Sequence, residues 1–140
     1  VYDTQSDNTR YQEFMRRVLQ RDKADAVFAG FSSASREAYR PIVDQLNGLA
    51  FYNNQYEGGV CDGHMIVTGA VPEQQFSTLI PWMMEKYGKK VYTLAADYNF
   101  GQISAEWVRN IVKQHGGEMA GEEFIPLGVS QFSQFRRSNS

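Results

Sequence analysis

A single cysteine, Cys61, stands in a chain of 140 residues. It has no partner for an internal disulfide, and it fits either redox compartment. Charge of one sign is not in excess, since 14 basic residues face 16 acidic ones for a net charge of −2. That balance leaves no electrostatic basis for a nucleic acid or an anionic membrane as partner. No apolar run approaches the length needed to span a bilayer. The opening Val1-Tyr2-Asp3 lacks the charged segment and apolar stretch of a signal peptide. Gly-x-Gly-x-x-Gly, the P-loop and Gly-x-Ser-x-Gly are all missing. Ser33 has no motif histidine to serve as its base, so nothing here supports an enzyme. Cys61-Asp62-Gly63-His64 offers two soft ligands, but nothing else completes a tetrahedral site. Neither a metal nor another cofactor is therefore expected.

What remains is a chain long enough for a domain-sized core, with short apolar runs alternating with helical periodicity. Tyr11, Phe14, Met15, Val18 and Leu19 form one helical face, capped by Asp7 or Asn8. Ala26 to Ala29 reads as a short buried strand. A second helix, capped by Ser35 and running to Leu46, would turn Ala38, Ile42 and Leu46 inward, and Pro41 would kink it or delay its start. Leu49 to Tyr52 and Met65 to Thr68 read as strands. A third helix opens at Pro72, with Phe76, Leu79, Ile80, Met83 and Tyr87 as its inner face, and closes at Gly88. Lys90 to Ala96 is a strand, and Ile103, Trp107, Val108 and Ile111 mark a fourth helix, closed by Gly116-Gly117. Glu122 to Ile125 is a last strand, and Phe132 to Ser140 a polar tail. Strands alternating with helices of about three turns predict an α/β fold with parallel sheets.

In such folds ligands gather beyond the carboxyl ends of the strands. Three of those ends share one chemistry: Gly30-Phe31-Ser32-Ser33-Ala34-Ser35, Tyr52-Asn53-Asn54-Gln55-Tyr56 and Asp97-Tyr98-Asn99-Phe100. Hydroxyls, amides and phenols on aromatic bodies suit a small polar molecule. The first loop also enters a helix, whose free N–H groups favour a carboxylate or carbonyl oxygen. Each position has a plainer use as well, Ser33 or Ser35 as a cap, Tyr52 and Tyr56 as rim residues, Asp97 as a turn residue. Glu122-Glu123 reads as a solvated edge, and His115 as a polar group at a helix C-terminus.

The stretches "VYDTQSDNTRYQEFMRRV", "FAGFSSASREAYRPIVDQ", "FYNNQYEGG", "VTGAVPEQQ", "AADYNFG" and "HGGEMAGEEFIPLG" carry a resemblance by their order and spacing. The chain resembles part of a type I periplasmic solute-binding protein. It is most similar to the branch of urea- and short-chain-amide-binding proteins and branched-chain amino acid receptors. The resemblance implies two Rossmann-like lobes with parallel sheets and a ligand caught between them. Residues 1–69 would belong to lobe 1, 70–75 to a hinge crossing, and 76–140 to lobe 2. It also implies ligand contacts at Phe31, Ser33, Tyr52 and Asn54 in the first lobe, and at Tyr98 and Phe100 in the second. Phe31 and Phe100 replace tyrosines common among the amide-binding relatives, and Asn54 replaces a threonine, so the ligand is expected to differ. The family's first strand and helix and the rest of its second lobe have no counterpart here. The chain is thus expected to be part of a protein more than twice its length. The implied partners are a small ligand and the membrane permease of an ABC importer, in the periplasm or on a lipid anchor. A cytosolic ligand-sensing regulator of the same fold, or a small flavodoxin-like signalling or enzyme domain, are the alternatives.

Overall fold

A computed structural model describes residues 1–129 of the chain; the expected tail from Phe132 lies outside the described residues. Four helices alternate with five strands in the order α1 (Asn8–Gln20), β1 (Val27–Phe28), α2 (Ser33–Gln45), β2 (Ala50–Tyr52), β3 (Met65–Val67), α3 (Pro72–Tyr87), β4 (Lys90–Ala96), α4 (Asn99–Gln114) and β5 (Glu118–Ile125). All strand pairs are parallel, with β1-β2-β3 in one sheet and β4-β5 in the other. Helices link β1 to β2 and β4 to β5, as parallel neighbours require, while β2 reaches β3 through the loop 53–64 without a helix. The chain forms two compact units, Val1–Leu79 and Ile80 onward, and α3 runs through the division. No helix among the described residues is long and apolar enough to cross a membrane.

In the first unit α1 and α2 pack together and against one face of the sheet. Met15, Tyr39, Ile42, Val43, Ala50 and Met65 are nearly or wholly buried there. Strand alternation sends Phe28, Phe51 and Ile66 to the opposite face. Phe28 and Phe51 stand in register and stack with ring centroids 4.8 Å apart, and Phe28 is 71% exposed. The first strand is thus shorter than Ala26 to Ala29 and not buried on both sides.

Local chemistry sets the helix ends. Asp7 caps α1, its Oδ1 accepting the Arg10 N–H at 2.9 Å. The cap of α2 is Ser32 rather than Ser35; Ser32 Oγ accepts the Ser35 N–H at 3.1 Å, and Ser35 Oγ donates back to the Ser32 carbonyl. The helix starts early and carries Pro41 within it. Its buried stripe is Arg36, Tyr39, Ile42 and Val43; of the expected residues Ile42 is buried, Leu46 packs at the core's margin and Ala38 is half-buried. Ser32→Ala is expected to cost about 1 kcal/mol through the lost cap. Equilibrium urea unfolding of that variant against wild type measures it, and no shift in midpoint would remove Ser32 from that role.

In the second unit α4 lies across β4 and β5 and buries Ser104, Ala105, Val108, Ile111 and Val112. At its start a Cβ on Gly101 would lie 2.0 Å from the Ala96 carbonyl oxygen, so only glycine lets the helix begin so close to the end of β4. On α3 the buried residues are Pro72, Ile80 and Met84. Leu79, Met83 and Tyr87 are exposed, which corrects the inner face expected from the sequence. The final strand begins four residues earlier than expected, at Glu118. Within it Glu122 pairs with Arg109 at 2.8 Å, and Glu123 accepts a hydrogen bond from Tyr92, so these acids are engaged rather than a bare solvated edge.

Candidate functional site

The carboxyl ends of β1 and β2 come together around the carbonyl of Phe31. Tyr52 donates its hydroxyl to that oxygen at 2.9 Å, and Asn54 donates Nδ2 to it at 2.5 Å. Tyr39 ties the same loop from below, donating to the Ala29 carbonyl at 2.8 Å. A surface cavity of about 340 Å³ lies here, lined by Phe28, Ala29, Gly30, Phe31, Phe51, Asn53 and Asn54. Of the expected first-unit residues, Phe31 and Asn54 line it. Ser33 and Tyr52 lie beneath, both almost fully buried. The Tyr52 hydroxyl also reaches the Gln55 carbonyl at 3.3 Å, closing its own loop into a turn.

Arg36 was not anticipated, and it explains much of why an apolar strand ends in phenols. Its guanidinium is fully buried, 5.1 Å from the Tyr52 ring centroid and 5.6 Å from that of Tyr56. It donates to Glu57 and, at 2.8 and 3.0 Å, to Glu37. A buried cation needs such partners, because burying unpaired charge is costly. The available signal was its position, since Arg36 falls three residues before Tyr39 and seven before Val43 on the buried stripe. The wall therefore has a cation directly behind it, already neutralised. Phe28, Phe51 and Asn53 were also missed. Their signal was the pleat, which gives Phe28 and Phe51 one sheet face.

Burial alone would push the Glu57 carboxyl up, but the hydrogen bonds and charge of Arg36, with the nearby Ser33 hydroxyl, hold it below the ordinary range. Ser33 Oγ faces that carboxylate without reaching hydrogen-bond geometry of its own. Farther along the same loop, burial likewise opposes the charge of Asp62. The His64 N–H at 2.9 Å and Arg40 at 2.7 Å outweigh it, and Asp62 is also held low. Asp44 is raised, by burial and by the charge of Asp62. His64 Nδ1 lies 2.9 Å from the Gly48 carbonyl and Cys61 is exposed; no metal-binding group of side chains occurs among the described residues.

These shifts carry a pH prediction. A lowered carboxyl stabilises fully above its ordinary value, 4.5 for Glu57, and that contribution is lost as pH falls through the lower folded value. Asp62 acts in the same sense, whereas Asp44, protonated earlier in the folded state, offsets part of it. Glu57→Gln should flatten the acid side of a plot of urea midpoint against pH. An acid limb of unchanged slope would remove the pair from acid stability.

In the second unit Tyr98 occupies the cap position of α4 without a side-chain cap bond, and its ring centroid is 6.2 Å from that of Phe100. Asp97 beside it accepts from Gln102 Nε2 at 2.8 Å, a turn role. At the far end of α4, His115 Nδ1 lies 2.9 Å from the Ile111 carbonyl, a polar group at a helix C-terminus as expected.

Parallel sheets with crossover helices, and polar-aromatic loops gathered where the strands end, define a Rossmann-like α/β binding domain. Residues 1–137 match the family described as periplasmic binding protein domain, and the chain belongs to that family. Its fold is that of several solved structures. A periplasmic binding protein from Burkholderia mallei superposes with a TM-score of 0.84 at 21% identity, over 96% of this chain and 37% of that one. A branched chain amino acid ABC transporter periplasmic ligand-binding protein from Burkholderia xenovorans gives 0.72 at 22%, with the same shares. A solute binding protein of an ABC transporter from Rhodopseudomonas palustris HaA2, in complex with p-hydroxybenzoic acid, gives 0.85 at 13%, over 96% and 38%. The chain thus spans little more than a third of the length of these relatives.

Proposed function

We propose that this chain is part of a solute receptor of an ABC importer. The observation that carries the proposal is a cavity of about 340 Å³ at the carboxyl ends of β1 and β2, in a chain of the periplasmic binding protein family. In this reading residues 1–69 belong to lobe 1, 70–75 to the hinge crossing and 76–140 to lobe 2. Phe31 and Asn54 touch the ligand, and Ser33 and Tyr52 form the layer that becomes accessible as the wall adjusts. Tyr98 and Phe100 are the ligand contacts of the second unit. Binding biases an equilibrium between open and closed lobes by the difference in affinity for the two. The protein works in the periplasm or on a lipid anchor and hands its ligand to a membrane permease. A signal peptide in the full reading frame separates this role from that of a cytosolic sensor.

A small zwitterion or neutral amide suits the wall best: a branched-chain or related amino acid, a short amide or urea. Backbone N–H groups at the start of α2 can hold one oxygen-bearing end. The cation behind the wall is neutralised by Glu37 and Glu57, so a phosphate or dicarboxylate finds no counter-charge there. A second reading, an aromatic monocarboxylate, is favoured by the exposed Phe28 and Phe31 rings lining the cavity. The benzoate-bound and p-hydroxybenzoic acid-bound relatives support it.

The test is calorimetric titration of the full-length protein with L-leucine, acetamide, urea and 4-hydroxybenzoate. One of them should bind, and at a hundred times its dissociation constant it should add about 2.7 kcal/mol of stability. Asn54→Ala should weaken that binding by roughly tenfold, as expected of a lost hydrogen-bonding contact. The 140-residue chain alone should bind weakly or not at all. Tight binding by this chain would show a site complete without the remainder, and no binding by the full-length protein would overturn the receptor reading for these ligands.

A further inference from the structure

We infer that Arg36 is a positioning residue, which holds the 53–57 loop in the geometry that aims Asn54 at the cavity. The inference rests on the reading of this wall as a ligand site. Three observations carry it. The guanidinium is completely buried, yet it is spent on a surface loop: Nη1 lies 3.4 Å from Glu57 Oε2, and Nη2 donates to Glu57 Oε1. This is a two-pronged grip that fixes orientation as well as distance.

Next, the same cation lies against both rings that bracket the loop, Tyr52 before it and Tyr56 near its end, and those rings meet edge-on at 6.5 Å. Finally, the Arg36 grip adds to the anchors the loop has elsewhere along its length. Asn54 Nδ2 and Tyr52 Oη share one acceptor, the Phe31 carbonyl, while Asn53 reaches Thr68 and the Tyr56 N–H reaches the Ala70 carbonyl at 3.2 Å. The grip on Glu57 fixes the far end of the loop, and with it the approach of Asn54 to Phe31. Arg36 sits one turn into α2, on the rigid side of the contact, and Tyr39 on that helix fixes the loop that carries Phe31. One helix thereby registers both cavity loops against each other. Arg36 does not line the cavity, so it acts through the loop rather than on the ligand.

The test combines amide hydrogen exchange of the full-length protein with titration of L-leucine and 4-hydroxybenzoate. In Arg36→Lys, which keeps the charge and loses the fork, exchange in residues 53–57 should rise by about tenfold or more, while amides of α1 and β2 stay within about twofold. Glu57→Gln, which keeps an acceptor, should loosen the same loop by a smaller factor. Glu37→Gln, at the other side of the guanidinium, should leave it unchanged. Whichever probe the wild type binds should bind Arg36→Lys at least about tenfold more weakly. Exchange that rises equally in loop and core would make Arg36 an ordinary stabilising residue and overturn the inference. So would an undisturbed loop, or a loosened loop with affinity intact. Failure of wild type to bind either probe counts against the solute-binding reading, while the exchange comparison still decides whether Arg36 holds the loop.

Discussion

Gly69→Ala is expected to be among the most damaging single substitutions in the first unit. A Cβ built there lies 1.7 Å from the Asn54 carbonyl oxygen, 2.3 Å from its carbon and 2.8 Å from the Gln55 nitrogen. All three are backbone atoms, so no side-chain rotation can relieve the overlap. The two segments are also tied on either side, by the Thr68 N–H to the Tyr52 carbonyl at 3.1 Å and by the Tyr56 N–H to the Ala70 carbonyl. Relief must break this lacing and push the site loop away from its wall. The expected loss exceeds about 4 kcal/mol, in the range reserved for severe backbone or core disruption. Chemical unfolding followed by circular dichroism measures it. Gly63→Ala is the matched control, since a Cβ there meets nothing within 4 Å. A Gly69→Ala protein as stable as Gly63→Ala would mean that the chain after β3 does not lie against the Asn54 loop.

Arg36→Met should cost roughly 3–5 kcal/mol, because it strands a buried carboxylate. Glu57 keeps only 7% of its side chain exposed and has its ionised form held by this arginine. Removing the cation also empties the space against two tyrosine rings. Removing both charges in Arg36→Met/Glu57→Leu should recover a large part of the loss, since a buried pair replaced by apolar groups is often near neutral. Glu37→Gln should cost less than about 1 kcal/mol, because Glu37 is 42% exposed and solvent screens the interaction. Urea midpoints of the four proteins give the comparison. A double variant no more stable than Arg36→Met would show that packing, not the stranded charge, dominates.

The sequence by itself determined the alternation of helices and strands and the parallel α/β class, because both follow from local periodicity and from crossover connections. It determined β4 to the residue, Lys90–Ala96, and placed α4 from Ile103 onward but not its start at Asn99. It also located the loops that meet at the cavity, since strand ends can be counted without knowing the fold. Tertiary structure decided which side of each element is buried. The periodicity of α2 admitted two neighbouring stripes, and packing on α1 and β2 selected the one containing Arg36 and Tyr39. On α3, five apolar positions were spread widely around the helix, and spacing alone chose Ile80 but not Met84. The cap of α2 fell to Ser32 because three serines in four positions carry the same local propensity, and only backbone geometry distinguishes them. Least legible was the use of Tyr52, Tyr56 and Glu57. Their types announce hydrogen bonding, but the partner is an arginine sixteen or more residues earlier, and a contact at that separation exists only once the strand and helix have packed.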